Sequence, residues 1–225
     1  MPLEEKLYKT IEEFARTEFD CEPVKQQVGT KLGKVDIVGV RDIHGNLETH
    51  IEVIAIEVKE EGASFLSGIG QARAYSIYAH KCYLAFRKRY NNAFTLEEID
   101  IASQLGVGLI EIRSDGCKVI ATSAAFTPRD RYVLDILSKL DLFRCTMCHA
   151  VYPLKDLTQV NQKGMIDLKS EHPYVGQMKK AIMNQKNLVY YLYRLHDQRG
   201  DEKEYVYDRR YICKDCASIF ASLIK

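Results

Sequence analysis

Apolar residues recur at helical spacing at Leu3, Leu7, Ile11 and Phe14, which predicts an amphipathic helix over Leu3 to Phe19. The pattern then shortens. Gly33 to Val40, GKVDIVGV, reads as a strand, and Glu48 to Lys59 reads as a longer one. The polar, turn-forming RDIHGN between them predicts a hairpin. Gly68 to Ala79 reads as a helix and KCYLAF, from Lys81, as a short apolar strand. Thr95 and Glu98 form a capping-box pair ahead of a helix over Leu96 to Leu105, which Gly106 should stop. GVGLIEI and CKVIA read as two strands joined through RSDG, and Thr127-Pro128 opens a further helix expected to reach about Phe143.

The first 126 residues thus run helix, strand, strand, helix, strand, helix, strand, strand. Such mixing predicts an α/β fold, a central mixed sheet flanked by helices. The remainder reads differently. It holds a CxxC, a polar stretch, the Tyr-rich segments LVYYLYRL and EYVYDRRYI, a second CxxC and an apparent short terminal helix. This places one domain over residues 1–143 and a smaller one over residues 144–225.

Composition narrows the class. Of the 225 residues 46% are hydrophobic, enough for a real core, and no run approaches a membrane span. The opening MPLEEKLYKT lacks the basic-then-apolar order of a secretory signal, so an intracellular, cytoplasmic protein is expected, with no membrane partner. The net charge of +1 hides an asymmetry: from Arg144 onward there are 14 Lys and Arg against 9 Asp and Glu. That basic end suits nucleic acid, and equally an ordinary solvated surface.

The strand IAIEVKE carries Glu57 and Lys59 two residues apart, hence on one face. Asp36 sits inside the apolar VDIVGV, where a lone carboxylate is costly unless it is paired or holds a metal. If the two strands pair antiparallel, Asp36 comes near Glu57, and a divalent cation would cancel their repulsion. Mg²⁺ suits one or two carboxylates with water and phosphate oxygens, and Mn²⁺ can replace it. The Val58 carbonyl is a further candidate ligand. Lys59 could serve an attacking water or the phosphate charge, and Gln71 could hold either. Gln71 shares a helical face with Ala74, Tyr75 and Tyr78, which is expected to turn toward the sheet. The bland reading of Glu57 and Lys59 is an ion pair on an edge strand.

The ordered set of Asp36, Glu57-x-Lys59 and a helical Gln71 resembles the PD-(D/E)XK nuclease superfamily, the restriction-endonuclease-like fold. The resemblance covers roughly residues 1 to 125, and Val35 stands where the motif name has proline. It implies Mg²⁺-dependent phosphodiester hydrolysis, with DNA the expected substrate and RNA not separated from it. In that reading Asp36 and Glu57 bind the metal, Lys59 supports the water and Gln71 positions it. It also implies a glutamate from the first helix. Superfamily spacing favours Glu12 or Glu13, whereas the helical wheel favours Glu18, and the choice stays open. Enzymes of this fold that cut both strands act as dimers, so a homodimer is expected. The competing class is a non-cleaving nucleic-acid or protein adaptor on the same fold.

Seven cysteines, an odd number, argue against a disulfide framework. Cys145 and Cys148, with Cys213 and Cys216, supply the four thiolates of a structural Zn²⁺ site. A knuckle, a hairpin and a CxxC at a helix start resemble a treble-clef finger, although 64 residues separate Cys148 from Cys213. An iron–sulfur cluster using Cys21 is the alternative, and two clean CxxC pairs fit zinc better. His149 is a spare ligand or simply surface, and Cys82 and Cys117 read as small buried apolar residues. Arg87, Lys88 and Arg89, with Arg209 and Arg210, could grip a phosphate backbone or be solvated. The tyrosines Tyr190, Tyr191, Tyr193, Tyr205, Tyr207 and Tyr211 read as hairpin pairs sooner than as base-stacking platforms.

Overall fold

The hairpin expected around residue 45 is present as two antiparallel strands, β2 (Gly33–Arg41) and β3 (Glu52–Lys59). The structure, a computed structural model, describes residues 3–31, 33–42, 51–88, 94–145, 148–160, 210–216 and 218. The link 43–50, the Tyr-rich segments up to residue 209, and residues 219–225 at the chain end lie outside the described residues. The described chain forms two compact units, one of Met1–Asp42 with Ile51–Leu140 and one that includes Asp141–Lys225.

The first unit is a six-stranded mixed sheet. Its remaining strands are β1 (Val24–Thr30), β4 (Lys81–Arg87), β5 (Gly108–Arg113) and β6 (Gly116–Ala121). The spatial order is the chain order, β1-β2-β3-β4-β5-β6. β3, β4 and β5 run parallel, and the outer pairs run antiparallel. Strand β1 was not expected from the sequence. VKQQVGT alternates only weakly, burying Val24 and Val28 and leaving its other residues partly or fully exposed.

Parallel strands need crossover connections, and helices supply them. β3 returns to β4 through α2 (Phe65–Ala74), and β4 to β5 through α3 (Leu96–Leu105). The capping box of Thr95 and Glu98 starts α3, and Gly106 ends it in the left-handed conformation at φ 70°. Helix α2 is shifted from the expected Gly68–Ala79. Ser64 caps it earlier, accepting from Ser67 N, and Tyr75–Ile77 tightens into a 3₁₀ turn. Both helices cover one face of the sheet, burying Ile69, Ala72 and Ala102 on Leu84, Phe86 and Leu109. Helix α1 (Leu3–Glu18) covers the other. There Leu7, Tyr8, Ile11 and Ala15 pack on Ile37, Ile56, Val58 and Ile110.

The last helix, α4 (Asp130–Lys139), is shorter than the expected Thr127–Phe143. Pro128 holds the residue before it out of the helical region, and Arg129 is still extended at ψ 136°. The chain leaves the helix at Leu140, and Asp141 takes a left-handed φ of 56°.

In the second unit β7 (Leu142–Arg144) pairs antiparallel with β8 (Val151–Pro153), and β9 (Leu157–Val160) pairs antiparallel with β10 (Arg210–Cys213). A short 3₁₀ turn, Leu154–Asp156, joins β8 to β9. No helix among the described residues is long and apolar enough to cross a membrane.

Candidate acidic centre and cysteine cluster

The β2–β3 ladder stops at Ile37↔Ile56. The same register, continued one step, sets Asp36 against Glu57. Beyond that point β3 keeps its other neighbour, pairing with β4 as far as Lys59↔Phe86. The Val58 N–H on the β2 side therefore needs an acceptor, and the Asp36 carboxylate supplies it, with Oδ2 at 2.9 Å from Val58 N. A side chain replaces a ladder bond, and two carboxylates converge at the opened end of two strands.

Glu57 is only 2% exposed, so its charge must be met locally. Lys59 Nζ lies 2.5 Å from Oε1, and the Tyr75 hydroxyl donates to Oε2. Tyr75 Oη also donates to the Lys34 carbonyl at 3.1 Å. From α1, Tyr8 Oη donates to Asp36 Oδ1 at 3.3 Å. Burial, with the neighbouring charge of Glu57, pushes Asp36 up to about 6, against the pull of the Val58 N–H and Lys59. Burial and the bond to Glu57 push Tyr75 well up, so it remains a protonated donor.

The donor set fits a hard divalent cation. Two opposed carboxylates share one nearby ammonium, that of Lys59 on Glu57, and burial first and the charge of Glu57 second lift Asp36. The Val58 carbonyl points to the same side of its strand as the N–H that Asp36 binds. Asp36, Glu57 and Val58 could therefore hold Mg²⁺ or Mn²⁺, with water and substrate oxygens completing the shell.

The other expected site residues fall as follows. Gln71 is exposed on α2. The face of α2 that turns to the sheet is Gly68, Ile69 and Ala72, not the expected Gln71–Ala74 face. One turn past Gln71 it is Tyr75 that reaches Glu57. The sequence offered a signal for it, since an aromatic residue i+4 from Gln71 shares its side of the helix. Of the α1 glutamates, Glu13 and Glu18 are exposed. Glu12 is engaged by Arg16 at 2.8 Å and Gln26 at 2.6 Å. Burial would raise its pKa, and these bonds outweigh it and hold it low. Among the described α1 side chains it is Tyr8 that reaches the acidic pair.

Lys88, a candidate phosphate contact, has an intramolecular partner. It is folded back onto both oxygens of Glu98, at 2.7 and 2.8 Å, over the rings of Phe86 and Phe94. Arg87 is half-buried at the end of β4. Arg89 and Arg209 lie outside the described residues, and of Arg210 only the backbone is described.

In the second unit a tight turn between β7 and β8 carries Cys145 and Cys148. Cys145 N donates to the Ala150 carbonyl at 2.8 Å, and His149 N donates to the Cys145 carbonyl at 3.0 Å, with His149 at φ 63°. Cys213 ends β10, and a helical turn from Lys214 brings Cys216 back. The four sulfurs lie within 4.8 Å of one another. Cys148 and Cys213 Sγ are 3.8 Å apart, the edge of a tetrahedron with Zn–S of about 2.3 Å. Cys213 N donates to Cys145 Sγ at 3.3 Å, as suits a thiolate. These cysteines could hold structural Zn²⁺. Cys21 is not among them: it is buried under Gly39 in the first unit, and burial pushes its thiol up to about 12.

No family model and no curated sequence matches the chain. Among solved structures, the chain is similar to a protein of unknown function from Silicibacter pomeroyi, at 13% identity and a TM-score of 0.45, over 62% of this chain and 84% of that one. It is also similar to SfsA from Pyrococcus furiosus, solved in complex with Ca²⁺, at 15% identity and a TM-score of 0.29, over 54% of this chain and 63% of that one. Neither likeness bears on function.

Proposed function

We propose that this protein is a metal-dependent phosphodiester hydrolase acting on DNA, with a restriction-endonuclease-like, PD-(D/E)XK arrangement in its first unit. The observation that carries the reading is the convergence of Asp36 and Glu57 where β2 and β3 part, with Lys59 on the Glu57 carboxylate. An edge-strand ion pair would not explain it, because β3 is an interior strand and Glu57 is buried.

In this reading Asp36, Glu57 and the Val58 carbonyl hold Mg²⁺ or Mn²⁺. Such a cation supplies charge neutralisation at the phosphate and a more acidic bound water. Lys59 stands beside the carboxylate that would face the water and offers a proton donor and a positive charge to the phosphate. Tyr75 keeps Glu57 oriented. Gln71, exposed one turn before Tyr75, is open to substrate and positions the water. The zinc-held unit contacts nucleic acid or a second copy of the chain, and cutting of both strands would need a homodimer.

The test is cleavage of supercoiled, linear and branched DNA by the wild type, Glu57→Ala and Lys59→Ala, with Mg²⁺ and with chelator. Cleavage by the wild type alone, stopped by chelator, is the expected result. Cleavage that survives both substitutions would place the activity elsewhere. DNA binding with no cleavage in any metal would favour the non-cleaving module.

A further inference from the structure

Lys34 is the neighbour of this centre that no role yet explains. It lies on β2 two residues before Asp36, hence on the same face. β2 and β3 pair no further than Ile37↔Ile56, so Lys34 stands on the part of β2 that has left β3, beside the opened end that carries Asp36 and Glu57. The Tyr75 hydroxyl links Lys34 to that end, since its single proton is shared between the Glu57 carboxylate and the Lys34 carbonyl. The Lys34 backbone is thus fixed within two hydrogen bonds of the acidic pair, inside the reach of a lysine side chain.

The two lysines differ in what they touch. Lys59 is bound to Glu57 at 2.5 Å. Lys34 is exposed, and its ammonium makes a 3.5 Å contact with Gln27 Oε1. The β1–β2 register passes from Gln26↔Ile37 to Val28↔Val35 with no pair at Gln27, which takes a left-handed φ of 53°, an uncommon conformation for a residue with a side chain. An ammonium loosely steadied by an amide, and bound to no carboxylate among the described residues, is suited to a transient polyanion.

We propose that Lys34 is a substrate-binding residue that contacts a backbone phosphate of the nucleic acid beside the acidic pair, with Gln27 as its guide. The inference rests on the hydrolase reading for the identity of the substrate. Lys34 binds the phosphate equally in ground and transition state, whereas Lys59 serves the reacting group, so the two should separate kinetically.

The test is binding of a fluorescent DNA duplex in Ca²⁺ as a function of salt, followed by turnover in Mg²⁺, for the wild type, Lys34→Ala, Lys34→Arg and, as control, the exposed Lys118→Ala. Lys34→Ala is expected to weaken binding and reduce the slope of log affinity against log salt by about 0.9, the loss of one phosphate contact. It should raise KM with kcat little changed. Lys34→Arg should restore both, and Lys118→Ala should match the wild type. A Lys34→Ala protein with wild-type slope and KM would overturn the inference while cleavage leaves the hydrolase reading standing. A wild type that cuts nothing, yet loses slope with Lys34→Ala, would overturn the hydrolase reading and keep the contact. A wild type that binds no duplex would overturn both.

Discussion

The Tyr75 hydroxyl shares its one proton between the Glu57 carboxylate and the Lys34 carbonyl, so its removal should loosen the centre on both sides. Tyr75→Phe keeps the ring and removes those bonds. Partners of metal-binding carboxylates are worth about 10–100-fold in metal affinity. Calorimetric titration with Mn²⁺ should show a loss of that size with the fold retained. His80 sets a second expectation. Its Nδ1 accepts from Val53 N at 3.0 Å, while His80 N donates to the Val53 carbonyl at 2.8 Å. Burial lowers its pKa from 6.5, against the opposing charge of Asp130. The folded state therefore binds fewer protons than the unfolded state below pH 6.5. Its contribution is present above that pH and lost as pH falls toward the folded pKa. His80→Asn keeps an acceptor and does not titrate. Urea midpoints between pH 7.5 and 5.5 should fall less for this variant than for the wild type.

Two glycines decide how closely the elements approach. A Cβ at Gly68 would lie 2.9 Å from Leu84 Cδ1 and 3.0 Å from Lys59 Cγ. The Leu84 methyl can turn aside, but displacement of the Lys59 stem moves the ammonium. Gly68→Ala should lower cleavage by roughly 10–100-fold, the scale of a misplacement of about 1 Å, with a melting temperature close to wild type. A Cβ at Gly108 would meet the Tyr83 ring at 2.3 Å and Ser123 N at 2.8 Å. Tyr83 is stacked on Phe19 at 4.7 Å and cannot withdraw, so Gly108→Ala should cost about 1–3 kcal/mol, read as a lower melting temperature. At this scale the sequence was informative where its signals are local. The capping box, the αL stop at Gly106 and the apolar strands β3 to β5 are written in adjacent residues. β1 was not legible, because a strand with two buried residues in seven has little periodicity of its own. The centre divides the same way. Asp36 and Glu57 could be paired from their strands, but the reach of Tyr8 and Tyr75 depends on where α1 and α2 rest on the sheet.

Among the described residues of the first unit, one apolar cluster lies under each layer of helices. The described strands of the second unit are short, three and four residues each. A metal held by the four cysteines, as proposed, would supply the stability that such strands lack. Stripping zinc with a chelator, or Cys213→Ser, should abolish the ordered signal of the second unit while the first melts at an unchanged temperature. Amide exchange resolved by segment would read this directly, and a fall in both units together would contradict it.

Because every strand of the sheet lies beside its neighbour in sequence, the sheet can be laid down in the order in which the chain is made. Asp36 and Glu57 belong to one antiparallel pair, so they can meet as soon as Lys59 has emerged, before α2, α3 or β4 exists. Until then the pair lacks Tyr75 and its burial, and it remains hydrated and inexpensive. The crossover that adds β4 is the step that shuts water from Glu57. The nascent chain would thus meet the cost of burying this negative charge late, at closure, rather than carry that cost through folding.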